Sequence, residues 1–146
     1  MNIDATDAIV GRLSAKVAKT LLEGESVVIV NAERAVFSGN PVKVVRVYAR
    51  RREMTDKADP SLAAKWPRRP DLFLRRIIRG MLPKRHYRQT KALGLLRIHM
   101  GVPDGVDGAK PFSDTAAQLS GSTISVRDVC AHLGWKNPLE AKVSVK

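Results

Sequence analysis

The chain has 146 residues, enough for one domain whose core folds without disulfide or metal staples. Its 44% hydrophobic and 27% charged residues are those of a globular protein and not of a disordered one, and no apolar run approaches the ~20 residues that span a bilayer as a helix. A single cysteine, Cys130, excludes an internal disulfide and a thiolate metal cluster, while a formal charge of +12 asks for a polyanionic partner.

Asn2–Ala5 is expected as a short strand. The opening MNIDATDAIVGR has no basic stretch followed by an apolar one, so a secretory leader is not expected and a cytoplasmic location is. A helix is expected over Val10–Leu22, because Leu13, Val17 and Leu21 recur every four residues with Val10 and Ala18 on the same side. Gly24 is its stop. The β-branched run SVVIVNA (26–32) is too continuous for a strand with one wet face and predicts a strand covered on both sides. NAERAVFSGN (31–40) reads as a connection from this strand to a helix over roughly 41–52, with Asn40 as N-cap and Pro41 in the first helical position. Val44, Val45 and Tyr48 share one side of that helix; Lys43, Arg46 and Arg50 are spaced for another. Residues 53–70 are expected to be irregular, and the prolines make Trp66–Pro70 stiff and extended.

A second basic helix starts at Asp71. Leu74, Ile77, Ile78 and Met81 hold the i, i+3, i+4, i+7 positions of one face, opposite Arg75, Arg76 and Arg79. Gly80 is expected to end it in a left-handed conformation, Pro83 to prevent its resumption, and Met81 with Leu82 to tether it to the core. A short helix over 85–93, a strand over 95–100 (LLRIHM) ended by Gly101 and Pro103, a polar loop over 104–111 and a strand within 122–126 follow. Ser125 caps the final helix with Asp128 as its capping-box partner; Val126, Val129, Cys130 and Leu133 form the apolar stripe, and Gly134 stops it. This alternation predicts an α/β fold: a single compact domain over residues 1–146, with a mainly parallel sheet and helices on both faces.

The charge is concentrated. Residues 43–91 hold 16 Lys and Arg against Glu53, Asp56, Asp59 and Asp71, a net of +12, while the segments before and after sum to −1 and +1. Such crowded cations repel one another in the folded state, and phosphate neutralisation explains them better than solvation does. Arg predominates, and its planar fork matches phosphate oxygens bidentately. Charge and spacing select Lys43, Arg46, Arg50, Arg51, Arg52, Arg68, Arg69, Arg75, Arg76, Arg79, Lys84, Arg85, Arg88 and Lys91 as RNA-binding candidates, with Arg50–Arg52 and Trp66–Arg69 as extended reaches. RNA is favoured over DNA, since no helix-turn-helix, zinc finger or zipper pattern is present to enter a major groove. Aromatic residues are too few here for a single-strand stacking platform.

Nothing points to catalysis. His86, His99 and His132 lack a convergent acid–base partner at any readable spacing, and Cys130 with His132 is too small a set for a metal. No P-loop, G-x-G-x-x-G or G-x-S-x-G occurs. A free-standing RNA- or DNA-binding module would have the same composition, and an RNA-processing enzyme using His86 or His99 is the rival from another class.

The order of DATDAIVGRLSAKVAKTLL (4–22), VNAERAVFSGN (30–40), RRIIRGMLP (75–83), RIHMGVP (97–103) and TISVRDVCAHLGWK (123–136) resembles the universal large-subunit ribosomal protein family L-thirteen. Gly101-Val102-Pro103-Asp104 stands where the bacterial branch usually carries His-Pro-His, and the long eukaryotic C-terminal extension is missing, so the likeness is to the archaeal branch. The resemblance implies a structural protein bound to large-subunit ribosomal RNA beside neighbouring large-subunit proteins, supporting RNA folding and assembly. It implies no enzyme activity, cofactor, metal, small-molecule substrate or membrane. By the same resemblance Arg75, Arg76, Arg79, Gly80, Met81, Leu82, Pro83, Lys84 and Arg85 form the basic region that lies against RNA. Residues 53–65 match no part of that pattern.

Overall fold

Strand β1 (Asn2–Asp4) lies parallel to β2 (Val27–Val30), joined to it by helix α1 (Val10–Leu22). The computed structural model describes residues 1–54, 59, 66–84, 86–106 and 108–136. The α1 residues expected to face inward, Val10, Leu13, Val17, Ala18 and Leu21, are all buried. Gly24 stops the helix in a left-handed conformation, φ +93°.

Further on, β4 (Leu96–Ile98) pairs with the other edge of β2, and β5 (Lys110–Pro111) with β1. The four-stranded order is β4-β2-β1-β5, and every pairing in it is parallel. Ile3 lies opposite Ile29, and Val27 opposite Leu96; all four are buried on one face. Of the alternate positions, Asn2, Asp4 and Val28 are half-buried, Val30 is buried and Arg97 is exposed. The cover expected on both sides of β2 is therefore complete on the first face and partial on the second.

Two strands went unforeseen. β5 falls inside the stretch expected to be a polar loop, and β3 (Val36–Ser38) inside the connection to the second helix. β3 pairs antiparallel with β6 (Thr123–Ser125) in a separate two-stranded sheet. Strands this short leave too few residues for a periodic signal; their partners define them.

Helix α2 (Pro41–Glu53) begins as expected: Asn40 Oδ1 accepts from the amides of Val42 (2.9 Å) and Lys43 (3.4 Å), and Pro41 opens the helix. Helix α3 (Pro70–Met81) buries Phe73, Leu74 and Ile78 and packs along α1. Gly80 lies within α3 and has no positive φ, so the expected left-handed stop is corrected. Termination comes from Pro83: Leu82 precedes it and is extended, ψ 152°, because the proline ring excludes the helical conformation from its predecessor. Leu82 is buried at 3% exposure while Met81 is 44% exposed, so only the first tethers the segment. Helix α4 (His86–Gly94) packs on α1 and leads into β4. Helix α5 (Val126–His132) carries the expected cap, with Ser125 Oγ accepting from the Asp128 amide at 3.0 Å and donating to its carboxylate at 2.7 Å. Gly134 follows at φ +89°.

The NAE segment is a clasp between strand ends. Asn31 sits in the left-handed region (φ 54°), where its Nδ2 donates to Asp4 Oδ1 at 2.9 Å. Both Glu33 carboxylate oxygens accept from the Gly101 amide at 3.2 Å. Burial alone would raise the Asp4 carboxyl; hydrogen bonds from Asn31 and Thr6, with Arg34 nearby, outweigh it and hold the group below its ordinary value.

Candidate nucleic-acid interface

Helices α2 and α3 are joined by aromatic rings. Tyr48 of α2 lies 4.7 Å from Phe73 of α3 and 5.2 Å from Trp66, while Phe37 of β3 closes the group at 5.5 Å from Tyr48. Offset and edge contacts at these separations favour association beyond simple burial. The Arg52 guanidinium donates to the Trp66 carbonyl, fixing the extended segment against the end of α2. Burial pushes the Tyr48 phenol up, an effect that Arg51 partly offsets.

Cations gather around this hydrophobic joint. The Arg51 guanidinium stands 5.3 Å from the ring centres of both Tyr48 and Trp66, and that of Arg76 stands 5.0 Å from Trp66. With Arg79 and Lys84 they line an open groove of about 610 Å³ between the end of α2 and the end of α3. Among the described residues no carboxylate lines it.

The remaining candidates divide by what holds them. Arg75 is turned back into the fold: Nη1 donates to the Leu96 carbonyl at 3.0 Å and Nη2 to that of Leu93 at 2.8 Å. Arg69 grips Asp71 through two bonds of 3.1 and 2.5 Å. Arg68 runs over Gly134, its Cζ 3.5 Å from where a Cβ would sit. Lys43, Arg46 and Arg50 are exposed along α2, and Gly80 and Met81 on α3. Arg50–Arg52 occupy the last helical turn of α2, which replaces the extended reach expected of them; cations there complement the helix dipole. Arg88 and Lys91 are exposed on α4 and line a second depression against Leu22 of α1 and Glu23, which caps it. Pro83 is half-buried, and the buried Leu82 side chain belongs to the core. Arg85 lies outside the described residues, as do 55–58 and 60–65 of the unmatched stretch and the side chain of His86.

The sequence does not single out Tyr48 or Gln89 as parts of this surface, and it places Trp66 there only as the start of the extended reach Trp66–Arg69. Four aromatic residues in the basic region are too few for a linear stacking platform, yet Tyr48, Trp66 and Phe73 converge in space. Gln89 Nε2 donates to the Arg79 carbonyl at 3.1 Å and so joins α4 to the groove.

The other chemical candidates are dispersed. His99 follows β4, donating its amide to the Ile29 carbonyl at 2.8 Å; His132 is exposed, its Nδ1 2.8 Å from the Asp128 carbonyl. Cys130 is buried, and burial, assisted by the charge of Asp71, pushes its thiol up to about 12, leaving it unreactive at neutral pH. Among the described residues no group of three or more His, Cys, Asp and Glu can hold a metal, and no helix is long and apolar enough to cross a membrane.

A cationic groove on an α/β domain describes many nucleic-acid-binding proteins; comparison with known sequences narrows them. Residues 1–104 match the Ribosomal protein L13 family. A large ribosomal subunit protein uL13 from Methanococcoides burtonii is 41% identical over 138 residues, covering 92% of this chain and 97% of its own. The uL13 protein of Aeropyrum pernix is 39% identical over 146 residues, covering 94% and 92%. That of Methanococcus maripaludis is 42% identical over 105 residues, covering 71% and 77%. The archaeal likeness of the Gly101–Asp104 segment agrees with these relatives, whose family comprises ribosomal proteins and not enzymes. By motif order, fold and identity over nearly its whole length, this chain belongs to the ribosomal protein L13 family.

Proposed function

We propose that this chain is a structural protein of the large ribosomal subunit that binds large-subunit ribosomal RNA and supports its folding and assembly in the cytoplasm. The observation that carries the reading is the groove between α2 and α3, which, among the described residues, four cations and no carboxylate line. The basic segment 43–91 faces RNA, with Lys43, Arg46, Arg50, Arg51, Arg76, Arg79, Lys84, Arg88 and Lys91 as its phosphate-contacting side chains. Arg52, Arg69 and Arg75 act indirectly, by holding the backbone that presents the others. Neighbouring large-subunit proteins are its other partners, and the reading needs no cofactor, small-molecule substrate or membrane.

If roughly 6–10 phosphates are neutralised, affinity for RNA falls by about 10³–10⁵ between 50 and 200 mM salt. The deciding experiment is gradient sedimentation of a cell lysate after a moderately high-salt wash, following this chain. Stoichiometric retention in the large subunit is expected. Release to the top of the gradient while other large-subunit proteins stay bound would overturn the ribosomal assignment and favour a free nucleic-acid-binding module.

A further inference from the structure

Gly80 is not explained by the fold. It lies inside α3 without a positive φ, and among the described residues a Cβ built on it meets no heavy atom within 4 Å beyond its chain neighbours and its own helix backbone. Alanine would fit and would strengthen the helix. Yet Gly80 is exposed and lines the groove between α2 and α3, where a side chain would project into the space that the aromatic and cationic groups surround. A glycine that neither conformation nor internal packing requires marks a place where something approaches the backbone closely.

We propose that this groove is a subsite for an unpaired RNA base, with Gly80 kept bare so that the base can enter. The inference rests on the RNA-binding reading above and adds what is recognised there. Phosphates alone need no apolar wall, but here Ile77 and Leu82 stand beside the Tyr48 and Trp66 rings. An apolar peptide, conversely, gains nothing from four cations. An extruded nucleotide matches both: its base stacks on aromatic rings or guanidinium planes, and its phosphates meet the rim. Arg51 and Arg76, already over the Trp66 ring, offer such planes, while Arg79 and Lys84 lie where the phosphates pass. Gln89, held through Nε2 to the Arg79 carbonyl, adds an amide oxygen able to accept from a base amine. The groove's volume of about 610 Å³ falls in the ~300–1,000 Å³ range of ligand-sized clefts.

The test compares a short oligoadenylate with an abasic ribose-phosphate oligomer of the same length, on the full chain and on Gly80→Leu. The variant keeps every cation and fills the groove; matching thermal unfolding confirms its fold. Wild type should bind the oligoadenylate about tenfold more tightly, the gain of one stacked base. Gly80→Leu should lose that preference while binding the abasic oligomer within about twofold of wild type. Equal affinity of wild type for both oligomers would refute the base subsite and leave phosphate binding standing. So would a base preference that survives in Gly80→Leu, or a variant that binds both oligomers equally weakly. Failure of wild type to bind either oligomer at low salt would remove the RNA-binding reading and the subsite with it.

Discussion

The uncharged insert Gly80-Met81-Leu82-Pro83 makes two adjacent residues report on different links of the same chain of cause. Leu82 is 3% exposed and anchors the end of α3, while Met81 beside it is 44% exposed. Truncating Leu82 to alanine removes three carbons, a transfer loss of roughly 2.4 kcal/mol at ~0.8 kcal/mol each. The partly relaxed cavity adds to that, for a total of about 3 kcal/mol, near the low end of the range measured for buried leucines. A domain of this kind has only about 5–15 kcal/mol of stability, so the loss is a large share of the whole. Met81→Ala should cost less than about 1 kcal/mol. Urea unfolding followed by circular dichroism reads both, and an unchanged dependence on urea would place the effect in the native state. A Leu82→Ala variant within about 1 kcal/mol of wild type would refute the anchor, as would equal losses in the two variants.

Four further outcomes are expected. Arg75→Gln should destabilise the fold by about 1–3 kcal/mol, because the Leu93 and Leu96 carbonyls lose a charged donor, with little change in the salt dependence of RNA binding. Arg79→Gln should do the reverse, leaving unfolding nearly unchanged and reducing the logarithmic salt slope by about 1; the two effects exchanged between variants would contradict the division of the arginines. Asp4→Asn should lower the unfolding temperature at neutral pH. The folded Asp4 carboxyl titrates below its ordinary value of 3.8, so its contribution is complete above that value and fades as pH falls through the folded one; a wild-type advantage that persists undiminished in strong acid would exclude the carboxylate as its source. Ser14→Ala should raise stability by about 1 kcal/mol, read by thermal unfolding, since among the described residues its fully buried hydroxyl has no hydrogen-bond partner.

The periodic elements were readable because burial imposes their period. Leu13, Val17 and Leu21 of α1, Leu74 and Ile78 of α3, and Val126, Val129 and Cys130 of α5 are all buried as their spacing requires. Asn40 and Ser125 were equally readable, since their side chains act on amides two or three residues away. β3, β5 and the Glu33–Gly101 bond were not, because their partners lie far along the chain. For the site, composition located the cations but could not sort them. Arg75 and Arg76 are adjacent in sequence; one reaches the carbonyls of Leu93 and Leu96 and the other lies over Trp66. That difference depends on where α4 and residue 66 come to rest, which no local pattern encodes.

Clustering four cations around one groove opposes folding by mutual repulsion, and among the described residues that opposition is reduced with no carboxylate in the groove. Arg51 belongs to the last turn of α2 and Arg79 to the last turn of α3, so both stand where helix dipoles present partial negative charge. Arg51 and Arg76 gain further attraction from the ring faces of Tyr48 and Trp66. At Arg51 and Arg79, dipoles and rings attract a cation without cancelling its charge, unlike the Asp71 carboxylate that occupies Arg69. A carboxylate in the groove would steady the free protein and then compete with every phosphate it met. The uncharged Leu82 serves the same end: between Arg79 and Lys84 the chain is fixed to the core by burial, so both cations stay at the groove with no acidic partner among the described residues to hold them.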